Sequence, residues 1–287
     1  MRDFNDDHSW LSINTATVRR QWRLDRIIDE CARRNIHAIA PWRDQVAAVG
    51  LAAVAKQLRE TGIALSGYCR GGFFPAPDSA GRAAALDDNC RAVDEACTLG
   101  APCLVLVVGS LPGALEGRPV HRDIARARTE VNDGIAATLE YARRVGLPLA
   151  IEPLHPMQAA ERACINTLEQ ALDVCDALDG ARTGALGVAV DLYHVWWDPK
   201  LAQQIARAGV ERLLAFHVCD WLTPTRDLLN DRGMMGDGVI ELRKARGHME
   251  AAGYAGHAEV EIFSEHWWGR PGEEVLDTCI ARHRSVV

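Results

Sequence analysis

Along the chain, apolar runs of five to seven residues alternate with longer segments in which apolar residues recur every three or four positions. The short runs predict strands near 11–15, 36–40, 62–67, 102–108, 147–152, 186–191, 213–218 and 257–262. The segments between them predict helices. RLDRIIDECARRN places Ile27, Ile28 and Cys31 on one face, and DQVAAVGLAAVAKQLRET and DDNCRAVDEACTLG keep the same spacing. HRDIARARTEVNDGIAATLEYARRVG ends on Gly146, a residue suited to closing a helix in the left-handed conformation. NTLEQALDVCDAL opens on the capping pair Asn166-Thr167, with Glu169 in the first turn. Eight strand–helix units use up the chain without a linker, a low-complexity segment or a sequence repeat. Right-handed repetition of such units closes on itself, so the expected fold class is α/β, a single-domain (β/α)8 TIM barrel over residues 1–287.

Composition narrows the setting. At 287 residues and 48% hydrophobic, the chain can bury the core such a barrel needs. The N-terminal MRDFNDDHSW is charged and has no apolar run, so no secretory signal is expected. The longest apolar stretch, APCLVLVVG, is too short to span a bilayer, so no membrane partner is expected. Nine scattered cysteines without a CxxC pair point to free thiols in a reducing compartment, and a cytoplasmic location follows. A net charge of −7 argues against nucleic acid as a partner. The chain has three lysines, Lys56, Lys200 and Lys244, and none ends an apolar strand, which disfavours Schiff-base chemistry.

Four residues with metal-ligating side chains do end such strands: Glu152, Asp191, His217 and Glu261. They are 39, 26 and 44 residues apart, spacings that fit successive strands of one barrel. Active sites of these barrels lie at the C-terminal ends of the strands. Glu259 and Glu261 share a face of the last strand because side chains alternate, and Glu261 is nearer the rim, so it is taken as the ligand. Any one strand-end acid is more readily explained as a helix cap; four at successive strands are not. Three carboxylates and one imidazole suit a single divalent cation such as Mn, Mg, Co or Zn.

The order IEPLHP, INTLEQAL, VDLYH, HVCD, DRGMMGDGVIEL and VEIFSEHWW resembles the xylose-isomerase-like sugar isomerase/epimerase superfamily. Its C-terminal motifs are most similar to the inosose isomerase branch and then to the tagatose/psicose 3-epimerases. The resemblance implies that Glu152, Asp191, His217 and Glu261 hold the metal and that Glu152 and Glu261 are also the acid/base pair. It implies that His194 and Arg232 contact substrate. Arg232 opens a stretch in which Met235 stands where the family has proline, and Gln158 stands where sugar epimerases often carry a second glutamate. Substrate-side readings extend to His155, Asp220, Trp42 and Arg70. Three of them have a structural rival: a loop hydrogen bond for His155, a loop cap for Asp220, and a surface salt bridge, the favoured reading, for Arg70. The Trp196-Trp197 and Trp267-Trp268 pairs suit either a water-excluding wall or a subunit contact, and the family allows a homo-oligomer, dimer or tetramer.

Proton abstraction beside a carbonyl, assisted by a metal, is the common first half of several reactions. The expected activity is a divalent-metal-dependent isomerase or epimerase acting on a small hydroxy-carbonyl substrate: a sugar, an inosose or a related keto compound. A dehydratase of the same superfamily, on dehydroshikimate or inosose, is the nearest rival. A noncatalytic sugar- or metal-binding barrel has no use for two acid/base glutamates. An apurinic endonuclease would need further zinc-binding histidines, where this chain has Cys69, Gly109 and Val239.

Overall fold

In a computed structural model of the chain, residues 2–5 and 7–287 are described. Met1 and Asp6, part of the charged segment read above as lacking a signal, lie outside the described residues. The strands are β1 (Leu11–Asn14), β2 (Ala38–Ala40), β3 (Ala64–Leu65), β4 (Tyr68–Gly72), β5 (Leu104–Val107), β6 (Leu149–Ile151), β7 (Leu186–Asp191), β8 (Leu213–Val218), β9 (Asp220–Trp221), β10 (Arg232–Gly233) and β11 (Ala258–Val260). Nine of them form one parallel sheet in the order β3-β2-β1-β11-β8-β7-β6-β5-β4, and β9 and β10 form a small antiparallel pair. The third strand of the sequence reading is divided. β3 pairs with β2, β4 pairs with β5, and a bridge from Trp42 to Cys69 joins the two sides. The chain therefore closes a (β/α)8 barrel whose third wall is shared between β3 and β4, and β4 carries an extra residue between Cys69 and Gly71.

The helices include α1 (Leu24–Arg33), α2 (Arg43–Val49), α3 (Leu51–Thr61), α4 (Ser79–Leu99), α5 (Ile124–Val145) and α6 (Leu168–Leu178). Gly146 closes α5 at φ 76°, and Asp123 caps its start by accepting from the Arg126 amide. α6 starts one residue later than the pair Asn166-Thr167 suggests. Thr167 is the cap, and Gln170, not Glu169, reaches back to the Asn166 amide at 2.8 Å. Among the described residues no helix is long and apolar enough to cross a membrane.

Alternation along the strands sorts the core into two layers. Outward residues such as Ile151, Val188, Val190, Phe216 and Val260 are fully or nearly fully buried under the helices. The inward positions are small: Cys69, Cys103, Val105, Ala150, Ala189 and Ala215 form their own apolar cluster. Ala150, Ala189 and Ala215 each precede a proposed ligand by two residues, so they sit directly beneath Glu152, Asp191 and His217. Beside them runs a polar layer. Ser66 and Asn14 donate to the two oxygens of Glu259 at 2.7 and 2.8 Å, and Ser12 meets Ser66 at 2.6 Å.

This layering predicts that Ala189→Leu overfills the barrel, lowering unfolding free energy by about 1–3 kcal/mol. Ala53→Leu, on the exposed face of α3, should stay within about 0.5 kcal/mol of the parent. Urea unfolding of both variants checks this, and equal effects would mean that the inward layer is not tightly packed.

Candidate metal and substrate site

Asp191 ends β7, His217 lies one residue inside the end of β8, and Glu152 and Glu261 directly follow β6 and β11. The latter two still belong to the ladder: the Glu152 amide donates to Leu106 O and that of Glu261 to Val218 O, both at 3.1 Å. Asp191 and His217 are register partners. The result is one buried cluster in which a ligand atom from each of the four lies within 4.8 Å of every other. Glu259 is excluded from it, one step deeper in the barrel.

His217 is the hinge of the cluster. Its Nδ1 stands 3.0 Å from Glu152 Oε1 and 3.7 Å from Glu261 Oε2, while its Nε2 faces Glu259 Oε1 at 3.5 Å. Neither ring nitrogen, nor Glu152 Oε1, has a hydrogen-bond partner of good geometry, although all three are buried. Buried polar atoms left in this way are costly, and a cation at the centre would satisfy all of them. Arg232 Nη1 bridges Asp191 Oδ2 at 2.8 Å and Glu261 Oε2 at 3.0 Å. Three carboxylates against one guanidinium leave two negative charges, the charge a divalent ion neutralises. The donor set therefore fits one such ion held by Glu152, Asp191, His217 Nδ1 and Glu261. Glu259 at Nε2 would then fix the imidazole tautomer from behind.

The electrostatics follow from burial and crowding. Burial, with repulsion from Glu152, pushes the Glu261 carboxyl up to about 8 despite Arg232. Asp191 resists the same burial because Arg232 and the nearby histidines hold it down at about 2. Burial opposes protonation of His217, but Glu259, Glu152 and Glu261 together raise it well above an ordinary imidazole. His194 goes the other way: burial lowers it to about 3, so it stays neutral.

Around the cluster, a cavity of about 240 Å³ is lined by Glu152, Gln158, His194, Arg232 and Glu261, with Trp42 and Phe263 on its apolar side. The site residues read from sequence divide here. His194 is buried behind Asp191, its Nδ1 accepting from the His155 amide at 3.1 Å. Arg232 lies between the rings of Tyr193 and Phe263, 4.5 and 5.4 Å from their centroids. Gln158 presents an amide oxygen without a partner. Trp42 is tied by its Nε1 to Asn14 at 2.7 Å. Arg70 lines the cavity and makes no ion pair among the described residues, so the surface salt bridge favoured from sequence is not what it forms.

Two assignments are corrected. His155 does not line this cavity: it caps the 3-10 turn Pro156–Gln158 and stacks on Trp221 at 4.8 Å. Both oxygens of Asp220 are engaged within its own loop, the amides of Trp221 and Ile240 donating to Oδ1 and that of Gly236 to Oδ2, each at 2.9 Å. It folds the loop that carries Arg232. Gly238 completes that fold, since a Cβ there would lie 2.2 Å from Trp221 O. Arg19, Arg162, Leu229 and Phe263 also line the cavity and went unread. Only Phe263, two residues beyond Glu261 on the alternating pattern, had a signal in the sequence. Of the tryptophan pairs, Trp268 is tied to Ala16 O and Trp197 to His194 O, both at 2.8 Å.

A model of the xylose isomerase-like TIM barrel family matches residues 22–284. The chain belongs to that family. The match reaches well into the N-terminal half, where the sequence motifs gave only a layout. An inosose isomerase of Halalkalibacterium halodurans is 23% identical over 210 residues, 72% of this chain and 69% of that protein. Protein SMc04130 of Sinorhizobium meliloti 1021 is 58% identical in its crystal structure, with TM-score 0.91 over 96% of this chain and 97% of that one. The IolI protein, crystallised with a zinc atom, superposes with TM-score 0.77 at 18% identity over 94% of each chain, a likeness of fold.

Because Glu261 and His217 are both raised in the metal-free protein, a divalent ion must displace protons to bind. Affinity should therefore fall as pH falls, by about tenfold per unit below pH 8 from Glu261 alone, and more steeply where His217 is also protonated. Calorimetric Zn or Mn titration between pH 6 and 8, in buffers of different ionisation heat, should show one to two protons released. A flat affinity with no proton release would mean that these side chains are not the ligands.

Proposed function

We propose that the chain is a divalent-metal-dependent isomerase or epimerase acting on a small hydroxy-carbonyl compound, a sugar, an inosose or a related keto compound. The observation that carries this reading is the pair of buried glutamates, Glu152 and Glu261, that share one small cavity and one cation-shaped gap. The cavity is below the roughly 300–1,000 Å³ of drug-sized pockets, which favours a substrate no larger than a monosaccharide, an inosose or a keto acid. The inosose isomerase relatives and the zinc atom of the IolI protein support the same direction.

A divalent ion held by Glu152, Asp191, His217 and Glu261 would stabilise the negative charge that grows on a substrate oxygen as the neighbouring C–H is deprotonated. Each glutamate has two oxygens, so it can serve the cation with one and a substrate proton with the other. One glutamate takes the proton from carbon and the other returns it. Return to the opposite face inverts the centre; return to the adjacent carbon moves the carbonyl. Arg232 Nε, buried and without a partner, is a donor for a substrate oxygen, while the neutral His194 ring, held by the His155 amide at Nδ1 and facing Arg232 Nη2 at 3.1 Å with Nε2, positions that guanidinium beside the cavity. The Trp42 and Phe263 rings keep water from that side of the cavity.

Glu152→Gln and Glu261→Gln should each lower kcat by about 10²–10⁴-fold at saturating metal, with the melting temperature little changed. His194→Ala should raise KM and leave metal content intact. The assay is solvent deuterium incorporation into ketoses and inososes, with metal measured on the same samples. Near-parental exchange in either glutamine variant would remove that residue from the acid/base pair.

A further inference from the structure

We infer that the substrate of this site is an acid, its carboxylate gripped between Arg70 and Arg162 while its carbonyl end reaches the glutamates. The inference rests on the proton-transfer reading above and specifies its substrate class. Both arginines line the cavity that contains Glu152 and Glu261, and both are half-buried. Among the described residues neither side chain makes an ion pair or a hydrogen bond. The other two arginines of the cavity behave differently: Arg19 is paired with Asp44, and Arg232 with Asp191 and Glu261. In a chain with 39 acidic and 32 basic residues, counter-charges are abundant, so two neighbouring arginines left unpaired at one cavity mark a place kept for an anion.

The chain also spends structure on holding them. Arg70 is the extra residue of a bulge: Cys69 pairs with Val105 and Gly71 with Leu106, leaving Arg70 opposite nothing. Such a bulge re-aims a side chain at the rim of a barrel. Its guanidinium is then steadied over the Phe73 ring, 4.1 Å from the centroid. Arg162 is fixed from its backbone, the amide donating to Gln158 O at 3.0 Å and the carbonyl accepting from Gly109 at 2.9 Å. Arg162 lies close enough to act on Arg70, whose basicity is lowered by burial and then by that neighbouring cation. Two guanidinium forks that repel one another when empty are drawn together by a carboxylate, which each can bind through paired N–H donors.

The test uses the metal-loaded full chain and three probes. 5-Keto-D-gluconate is the acid, L-sorbose its uncharged counterpart, and D-fructose 6-phosphate a phosphate ester. Calorimetry should show the parent protein binding 5-keto-D-gluconate about 10- to 100-fold more tightly than L-sorbose. In Arg70→Met/Arg162→Met that advantage should vanish while L-sorbose binding, melting temperature and metal content hold. Equal binding of acid and ketose by the parent, an advantage that survives in the double variant, or no binding of the acid would each overturn the proposal. Tighter binding of the phosphate ester than of the acid, lost in the double variant, would overturn the carboxylate in favour of a phosphate. Deuterium exchange into L-sorbose by the parent protein reports on the proton-transfer reading separately from the binding comparison.

Discussion

The structure is organised around a concentration of like charge largely withdrawn from water. Glu152, Asp191 and Glu261 bring their oxygens within a few ångströms of one another and of His217, at the C-terminal ends of the barrel strands. Three buried carboxylates repel, and desolvation adds several kcal/mol per ion to the cost. Arg232 offsets part of this by bridging two of them, and protonation of Glu261 near neutral pH offsets more. What remains is an electrostatic deficit shaped for a small cation. The same low dielectric that makes the empty cluster costly makes a bound ion's field strong where a substrate oxygen would lie.

That constraint reaches outward through Arg232. A guanidinium can relieve the cluster only if it is delivered to one place, and it comes from a loop rather than from the barrel wall. Asp220 gathers three amides of that loop, Gly238 lets the chain pass close over Trp221, and the Arg232 amide is anchored to Phe263 O at 2.9 Å. Tyr193 and Phe263 then clamp the guanidinium by its faces. The acid just after β8 is thus essential to the site without touching it.

How far the sequence discloses this depends on which interactions carry each part. Strands β6, β7, β8 and β11 are short apolar runs that each end at or beside a residue with a ligating side chain, so all four cluster residues are legible from strand position and spacing. The barrel is legible for the same reason. The division of the third strand is not, and neither is the bulge at Arg70, because nothing in the composition marks either. Asp220 is legible as an acid but not as a loop organiser, since its partners lie 16 and 20 residues downstream. Arg162 and Arg19 sit in irregular segments with no period to read, and only closure of the barrel brings them to the cavity.

The division between strand and loop carries a functional consequence. Groups that would hold the ion and move the proton stand on or beside strands, in ladder register, above a floor of alanines too small to displace them. Other groups that line the cavity, Arg70, Gln158 and Arg162, make no ladder pairs and stand on a bulge and a loop. A rigid reaction centre with a separately adjustable rim lets one proton-transfer apparatus accept different carbon skeletons. On the proposed reading, the arginines and the glutamine select the substrate while the glutamates carry the proton.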